Sequence, residues 1–85
     1  MTKKQLKSRL NKLTAKMRTL IDELEEIKDE AQETIDEIEP YGDADELTDQ
    51  QEERQEWFEE KVETMDEAYS ALDENVEYLE DIVNE

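Results

Sequence analysis

The feature that most constrains the fold of this chain is a regular spacing of apolar residues along both of its halves. Successive apolar residues are separated by alternating steps of four and three, with a single slip near Ile35. The first run comprises Leu6, Leu10, Leu13, Met17, Leu20, Leu24, Ile27, Ala31, Ile35 and Ile38, and the second comprises Phe58, Val62, Met65, Tyr69, Leu72, Val76, Leu79 and Val83. Such spacing lines one face of an α-helix and is typical of coiled coils. The sequence therefore predicts two long helices.

The only proline and the only glycine of the chain lie together between the two runs. Pro40 disfavours helical backbone at the residue before it, and Gly42 accepts a positive φ without steric cost. We therefore predict a single helical domain with a turn in its middle. The predicted bounds are 1–85 for the domain, about 3–38 for helix 1, about 39–43 for the turn and about 44–83 for helix 2.

Polar side chains at the predicted helix starts can satisfy the free backbone amides there. Thr2 begins the Thr-x-x-Gln pattern of a capping box ahead of the first helix. At the second helix two such pairs compete, Asp43 with Glu46 and Thr48 with Gln51. Both starts fit the apolar spacing, so the pattern leaves both open.

The two apolar runs match each other when the chain folds back at Gly42. Residues that face each other across an antiparallel hairpin have numbers with a constant sum, and eight apolar pairs meet this condition to within one residue. The predicted facing pairs are Leu6 with Leu79, Leu10 with Val76, Leu13 with Leu72, Met17 with Tyr69, Leu20 with Met65, Leu24 with Val62, Ile27 with Phe58 and Ile38 with Leu47. We therefore predict an all-α, antiparallel, coiled-coil-like two-helix hairpin.

The second helix carries more apolar surface than one seam covers. Ala68, Ala71, Tyr78 and Ile82 lie beside its main row. A lone two-helix hairpin buries only a marginal core. We expect a homodimer in which two hairpins form a four-helix bundle that buries this second stripe.

The charge of the chain is distributed very unevenly. Residues 1–20 hold seven basic and no acidic residues, and residues 65–85 hold eight acidic and no basic residues. These segments lie side by side in the predicted hairpin, where we expect pairs such as Arg18 with Asp66. A basic helix is also typical of nucleic-acid or membrane-surface binding, but an acidic segment of the same chain already lies in register with it.

Most of the net charge of −18 belongs to the middle of the chain. Residues 21–64, here called the turn half, hold twenty acidic and three basic residues, a net charge of −17. Folded into two arms of about 33 Å, this segment carries one negative charge per ~1.9 Å, against one per ~1.7 Å along duplex DNA. The candidate partner-binding residues are Asp22, Glu26, Asp29, Glu30, Glu33, Glu37, Asp49, Glu53, Glu56, Trp57, Glu60 and Glu63.

The composition excludes the usual catalytic and metal sites. The absence of Cys removes disulfides, thiolate nucleophiles and cysteine zinc sites, and the absence of His removes the commonest general base. An EF-hand loop starting at Asp43 fails, because Thr48 stands where glycine is needed and Arg54 where the bidentate glutamate is needed. A two-helix hairpin has no dry cleft for acid–base catalysis. We expect no enzymatic activity, no cofactor and no dedicated metal site.

The segregation of charge indicates that the electric field itself is used. Like charges along a helix destabilise it, and a surface that needs only solubility interleaves both signs. In size and charge balance the chain resembles the phage-encoded acidic inhibitors that block restriction enzymes or RNA-guided nucleases, a resemblance of composition that covers the turn half. It implies a DNA-mimic inhibitor, of anti-restriction or anti-CRISPR type, that binds a basic nucleic-acid-binding protein such as a nuclease.

Two other functions agree with the same residues. One is an interaction module without mimicry, such as a coiled-coil adaptor, a scaffold subunit or a chaperone-like clamp with a merely solubilising acidic surface. The other is an acidic regulator that sequesters a basic toxin or a histone-like protein. In each case we expect a protein partner, no direct nucleic-acid binding, no membrane association and a cytoplasmic location, in the host cell if the chain is phage-encoded.

Overall fold

The chain forms two long helices that pack antiparallel as a hairpin. The computed structural model describes all residues 1–85 and contains helix α1, Lys3–Asp36, and helix α2, Asp49–Val83, with no strands. The Cα atoms span 68 × 15 × 15 Å, a narrow rod. The predicted all-α hairpin is confirmed. Neither helix contains an apolar stretch long enough to cross a lipid bilayer.

Both helices begin with a capping box. The Thr2 hydroxyl accepts a hydrogen bond from the Gln5 amide at 3.1 Å, and the Gln5 side chain accepts one from the Thr2 amide at 2.7 Å. Thr48 and Gln51 repeat this arrangement at 3.1 and 2.9 Å. Helix α2 therefore starts five residues after the predicted bound of 44, because this box and not the rival pair at Asp43 satisfies its free amides.

The link between the helices is longer than the predicted turn. Helix α1 ends at Asp36, ahead of Pro40, which has no amide to donate. Gly42 has φ +55°, the only positive φ in the chain, and so turns the backbone where other residues would be strained. The side-chain amide of Gln51 donates to the carbonyl oxygen of Glu39 at 2.8 Å, which anchors the link to the first turn of α2.

The face of α1 that packs on α2 is rotated from the predicted one. The seam residues of α1, all buried or half-buried, are Leu10, Thr14, Met17, Ile21, Leu24, Lys28, Ala31 and Ile35, and the half-buried Ile38 of the link continues the row. These positions alternate in steps of four and three with no slip. The predicted seam residues Leu13, Leu20 and Ile27 are instead exposed. The irregular step near Ile35 in the predicted row therefore reflects two adjacent rows on α1: the predicted row follows the exposed one before Ala31 and joins the seam from Ala31 onward.

Helix α2 is also shifted along α1 relative to the prediction. Arg18 pairs with Asp73 and Glu80, not with the expected Asp66. Asp66 instead pairs with Lys28, at 3.0 Å. The part of α2 that contacts a given residue of α1 thus lies about eight residues, or roughly two helical turns, further along the chain than predicted. The link takes up the difference, because it lies beside the first turn of α2, where Gln51 donates to Glu39.

The core of the hairpin is small. Ile21, Ile35 and Val76 are its only buried apolar residues, and Val76 alone is fully inaccessible to solvent. Thr14 is the one buried polar residue, and its hydroxyl donates to the carbonyl oxygen of Asn11 at 3.1 Å, which satisfies it. Such limited burial leaves a single hairpin with little hydrophobic stabilisation.

Candidate functional site

All twelve predicted partner-binding residues are exposed, and the carboxylates among them point away from the seam. Glu33 of α1 and its C-cap residue Glu37 each lie two residues from the buried Ile35, about 200° away around the helix. On α2, Glu60 stands in the same relation to the half-buried Val62. The two carboxylate rows therefore occupy opposite outer faces of the rod. A flat partner would touch one row, whereas a groove that encloses the rod would touch both.

The rows approach each other at one shallow cleft on the edge of the hairpin. Its lining residues are Lys28, Asp29, Gln32, Glu59, Val62, Glu63 and Asp66. Asp29 and Glu63 are the two predicted site residues that share it, one from each helix. No three carboxylates here or elsewhere converge closely enough to hold a metal ion.

Lys28 is the only basic residue of the turn half that bridges the helices. Its Nζ donates to Oδ1 of Asp66 at 3.0 Å and lies 5.1 Å from the centre of the Tyr69 ring. The hydrogen bond to Asp66 raises the pKa of Lys28. Because Asp66 lies outside residues 21–64, this pair neutralises none of the turn-half carboxylates.

The other two basic residues of the turn half lie over aromatic rings. The guanidinium of Arg54 is 5.6 Å from the centre of the Phe58 ring, and Nζ of Lys61 is 5.4 Å from that of Trp57. Lys61 also contacts Oε1 of Glu60 at 3.3 Å. Glu60 is the one carboxylate of residues 21–64 with an ion-pair partner. The segment therefore keeps nearly all of its negative charge free.

Trp57 places an exposed aromatic ring beside this acidic surface. It is 55% exposed, and its ring meets that of Phe58 edge to face, with centroids 5.1 Å apart. Phe58 is itself half-buried in the seam and so supports the indole from below. A large, supported and solvent-exposed ring is the kind of residue that anchors protein interfaces.

The opposite end of the hairpin is organised around Arg18. Its Nε lies 3.3 Å from Oε2 of Glu80, and its guanidinium also contacts Asp73. The hydrogen bond from Arg18 holds the pKa of Glu80 below its usual range, and the hydrogen bonds to Glu80 and Asp73 raise the pKa of Arg18. Lys7 donates to the main-chain carbonyl of Glu85.

The expected pairing of the basic start holds only in part. Six of its seven basic residues have no acidic side chain within 4.0 Å. They are Lys3, Lys4, Lys7, Arg9, Lys12 and Lys16. The basic start is thus mostly unpaired, although it lies beside the acidic end of α2.

The sequence prediction also missed one surface. Four apolar residues of α1 assigned to the core lie outside it: Leu6, Leu13, Leu20 and Ile27. The signal that could have separated them is the slip near Ile35. A seam through Thr14, Ile21 and Lys28 removes that slip at the expense of placing two polar residues inside it.

Comparison of the chain with protein family models, with curated proteins and with solved structures finds no match.

Proposed function

We propose that the turn half is a polyanion mimic, which occupies the nucleic-acid groove of a basic protein, such as a nuclease, and so inhibits it. The observation that carries this proposal is the free charge of the turn half. Its net charge of −17 is retained in a structure where Glu60 alone among its carboxylates has an ion-pair partner. An anti-restriction or anti-CRISPR inhibitor is the form of this function that the size and charge balance favour.

The shape of the rod supports the proposal. The Cα extents of 15 Å across the rod leave out the side chains, and two helices with side chains are about 20 Å across. The rod therefore fits a cleft wide enough for a nucleic-acid duplex. Because the carboxylate rows lie on opposite faces, a cleft that encloses the rod meets negative charge on both walls, as it does with the two strands of a duplex.

The free carboxylates and the exposed indole of Trp57 contribute differently to binding. Free carboxylates at this density steer a basic partner toward the turn half and make binding strongly salt-dependent. Charge alone attracts any basic protein, so specificity needs a shaped apolar contact. Trp57 supplies one beside the acidic surface, and we propose it as the anchor.

Charge reversal tests where the partner binds. Four reversals in the turn half, Glu26→Lys, Glu30→Lys, Glu53→Lys and Glu56→Lys, should abolish capture of basic proteins from a cell lysate while the far-UV circular dichroism stays helical. The matched control makes the same change in net charge outside the turn half, at exposed residues without ion pairs: Glu67→Lys, Glu74→Lys, Glu77→Lys and Asp81→Lys.

The control set should keep the captured partner. Equal loss with both sets would show that only net charge matters and would contradict a binding site in the turn half. Capture that survives nuclease treatment but falls steeply with salt is expected for a protein partner with a nucleic-acid groove. Capture that is lost on nuclease treatment would mean that nucleic acid bridges the two proteins.

A further inference from the structure

One edge of the hairpin carries an apolar row that the fold leaves open. Leu6, Leu13, Leu20 and Ile27 repeat every seven residues on α1 and are 41%, 47%, 62% and 54% exposed. Residues seven apart lie one above another after two helical turns. Together with Leu72 of α2, which is also exposed, they are called the apolar edge below.

The two helices contribute to the same edge because of how the ion pairs are placed. Around α1, Arg18 and Leu20 lie on opposite sides of the seam residue Met17, and around α2, Asp73 and Leu72 lie on opposite sides of Val76. Arg18 contacts Asp73, so both occupy one edge. Leu20 and Leu72 must then share the other edge.

Charges accompany the apolar row in a fixed order. Three residues after each of its members on α1 stands a charged residue: Arg9, Lys16, Glu23 and Glu30. The first two have no acidic partner, and the last two have no basic partner. The flank of the apolar edge is therefore positive in its first half and negative in its second. A copy of the same flank, reversed in direction so that the apolar rows overlap, brings Arg9 against Glu23 of the other copy on both sides of the axis, at the expense of one contact between the two Lys16 residues at the centre.

We infer that a second copy of this chain covers the apolar edge, with the two α1 helices antiparallel across a two-fold axis. The register that overlaps the whole row places Leu6 of one copy opposite Ile27 of the other, and Leu13 opposite Leu20. Arg9 then lies opposite Glu23, and the two Lys16 residues lie beside the axis. The small core of one hairpin is thereby extended into a four-helix bundle.

The distribution of charge selects the antiparallel arrangement. Side by side in parallel, two hairpins would place two turn halves, each with a net charge of −17, against each other. In the antiparallel dimer the overlap centres between Lys16 and Met17, in the nearly neutral end formed by residues 1–20 and 65–85. The turn halves then project from opposite ends of the dimer.

This inference stands apart from the proposed function. The inferred interface differs from the one predicted from the sequence. The exposed apolar row of α1 forms the centre of the interface, and the α2 stripe at Ala68 and Ala71 lies beside that centre. The dimer covers the apolar edge, which ends at Ile27, and leaves the rest of each turn half free, so each dimer would present two copies of the acidic surface.

Sedimentation equilibrium tests the existence and the location of the dimer. The wild-type chain should sediment as a dimer in the micromolar range. Leu13→Glu with Leu20→Glu should weaken the dimer by roughly a hundredfold or more, because carboxylates then enter an apolar contact. The control adds the same two charges on the same helix away from the apolar edge, at the exposed residues Asn11→Glu and Thr19→Glu; it should leave the dimer intact.

Cysteine crosslinking tests the direction, since the chain contains no cysteine of its own. Lys16→Cys should crosslink to its own copy across the two-fold axis. Arg9→Cys and Glu23→Cys should each fail to crosslink alone but should form a disulfide-linked heterodimer when mixed. A parallel dimer would instead crosslink each of the three variants to itself.

Three results would overturn the inference. The first is a wild-type monomer throughout the micromolar range, and the second is the parallel crosslinking pattern. The third is a monomer that cosediments with anionic phospholipid vesicles through Leu13 and Leu20, since that would assign the apolar edge to a membrane surface.

Arg9→Glu should weaken the dimer by roughly tenfold, and adding Glu23→Arg should restore it, because two symmetry-related pairs are broken and then remade.

Discussion

Leu20 and Ile21 are neighbours of nearly equal hydrophobicity, yet one is 62% exposed and the other 3%. The residues around them decide the difference. Ile21 lies one helical turn after the half-buried Met17, on the side of α1 that carries the ion pair of Arg18 with Asp73. Leu20 lies on the other side of Met17, at the apolar edge. At this scale the role of an apolar residue depends on which of two adjacent rows the helix turns toward its partner.

Truncation of these two residues should therefore have very different effects. In dilute solution, where the hairpin is monomeric, Ile21→Ala should lower the free energy of unfolding by about 2–4 kcal/mol through lost burial and a cavity. Leu20→Ala should change it by less than about 0.5 kcal/mol. Urea denaturation of submicromolar protein, followed by the fluorescence of Trp57, the one tryptophan of the chain, measures both. The reverse order would restore the seam predicted from the heptad spacing.

The pair of Arg18 and Glu80 should produce a pH dependence of its own. The hydrogen bond to Arg18 lowers the pKa of Glu80 in the folded state. This hydrogen bond therefore stabilises the fold fully at pH values above the pKa of Glu80 in the unfolded chain. The stabilisation is lost as the pH falls through the pKa of Glu80 in the folded state. Glu80→Gln should lower the melting temperature by a constant amount between about pH 7 and pH 5, and by less below about pH 4. Glu77→Gln, at an exposed residue without an ion pair, is the control and should show no such trend. A difference that grows in acid would contradict the pair.

At the scale of the helices, the sequence was sufficient to predict the hairpin and its first cap but not the register. Thr2 with Gln5, and the turn residue Gly42, follow from local chemistry alone. The rotation of α1 does not, because two rows share Leu10, Met17, Leu24 and Ala31 and differ only at the intervening positions. The choice between them depends on contacts with the other helix, such as Lys28 with Asp66, which no local pattern contains.

The candidate partner-binding surface, too, could be predicted from the sequence only in part. Its residues could be predicted as exposed, since each carboxylate row runs along the back of a helix. The separation of the two rows onto opposite faces could not, because it depends on how both helices are rotated about their axes. The use of Arg54 and Lys61 over aromatic rings, instead of in ion pairs, also depends on the packing of Phe58 and Trp57.

The start of α2 can be tested at its cap. Thr48→Ala removes the hydroxyl that accepts from the Gln51 amide and should cost about 1 kcal/mol of stability. Asp43→Ala, at the rival cap, should leave the stability unchanged. Paired urea denaturation curves measure both variants. A loss at Asp43 with none at Thr48 would place the helix start five residues earlier.

At the scale of the whole molecule, unscreened repulsion in the turn half should dominate the response to solution conditions. The melting temperature should rise with added salt, and it should rise again between neutral pH and about pH 5, as carboxylates begin to be neutralised. The few ion pairs at the Arg18 end oppose this trend but are outnumbered. A fall under both conditions would mean that the carboxylates of the turn half are held in favourable native pairs.

Competition with nucleic acid tests whether the turn half acts as a polyanion mimic. The captured basic partner is titrated with this protein in the presence of increasing duplex DNA or RNA, and the fraction bound is followed by the fluorescence anisotropy of a label attached to the protein. A polyanion mimic predicts mutually exclusive binding, with an apparent affinity that falls in proportion to the nucleic acid added and steeply with salt. Trp57→Ala should weaken binding without changing the salt slope, because the indole carries no charge. A ternary complex of partner, nucleic acid and this protein would contradict the mimic.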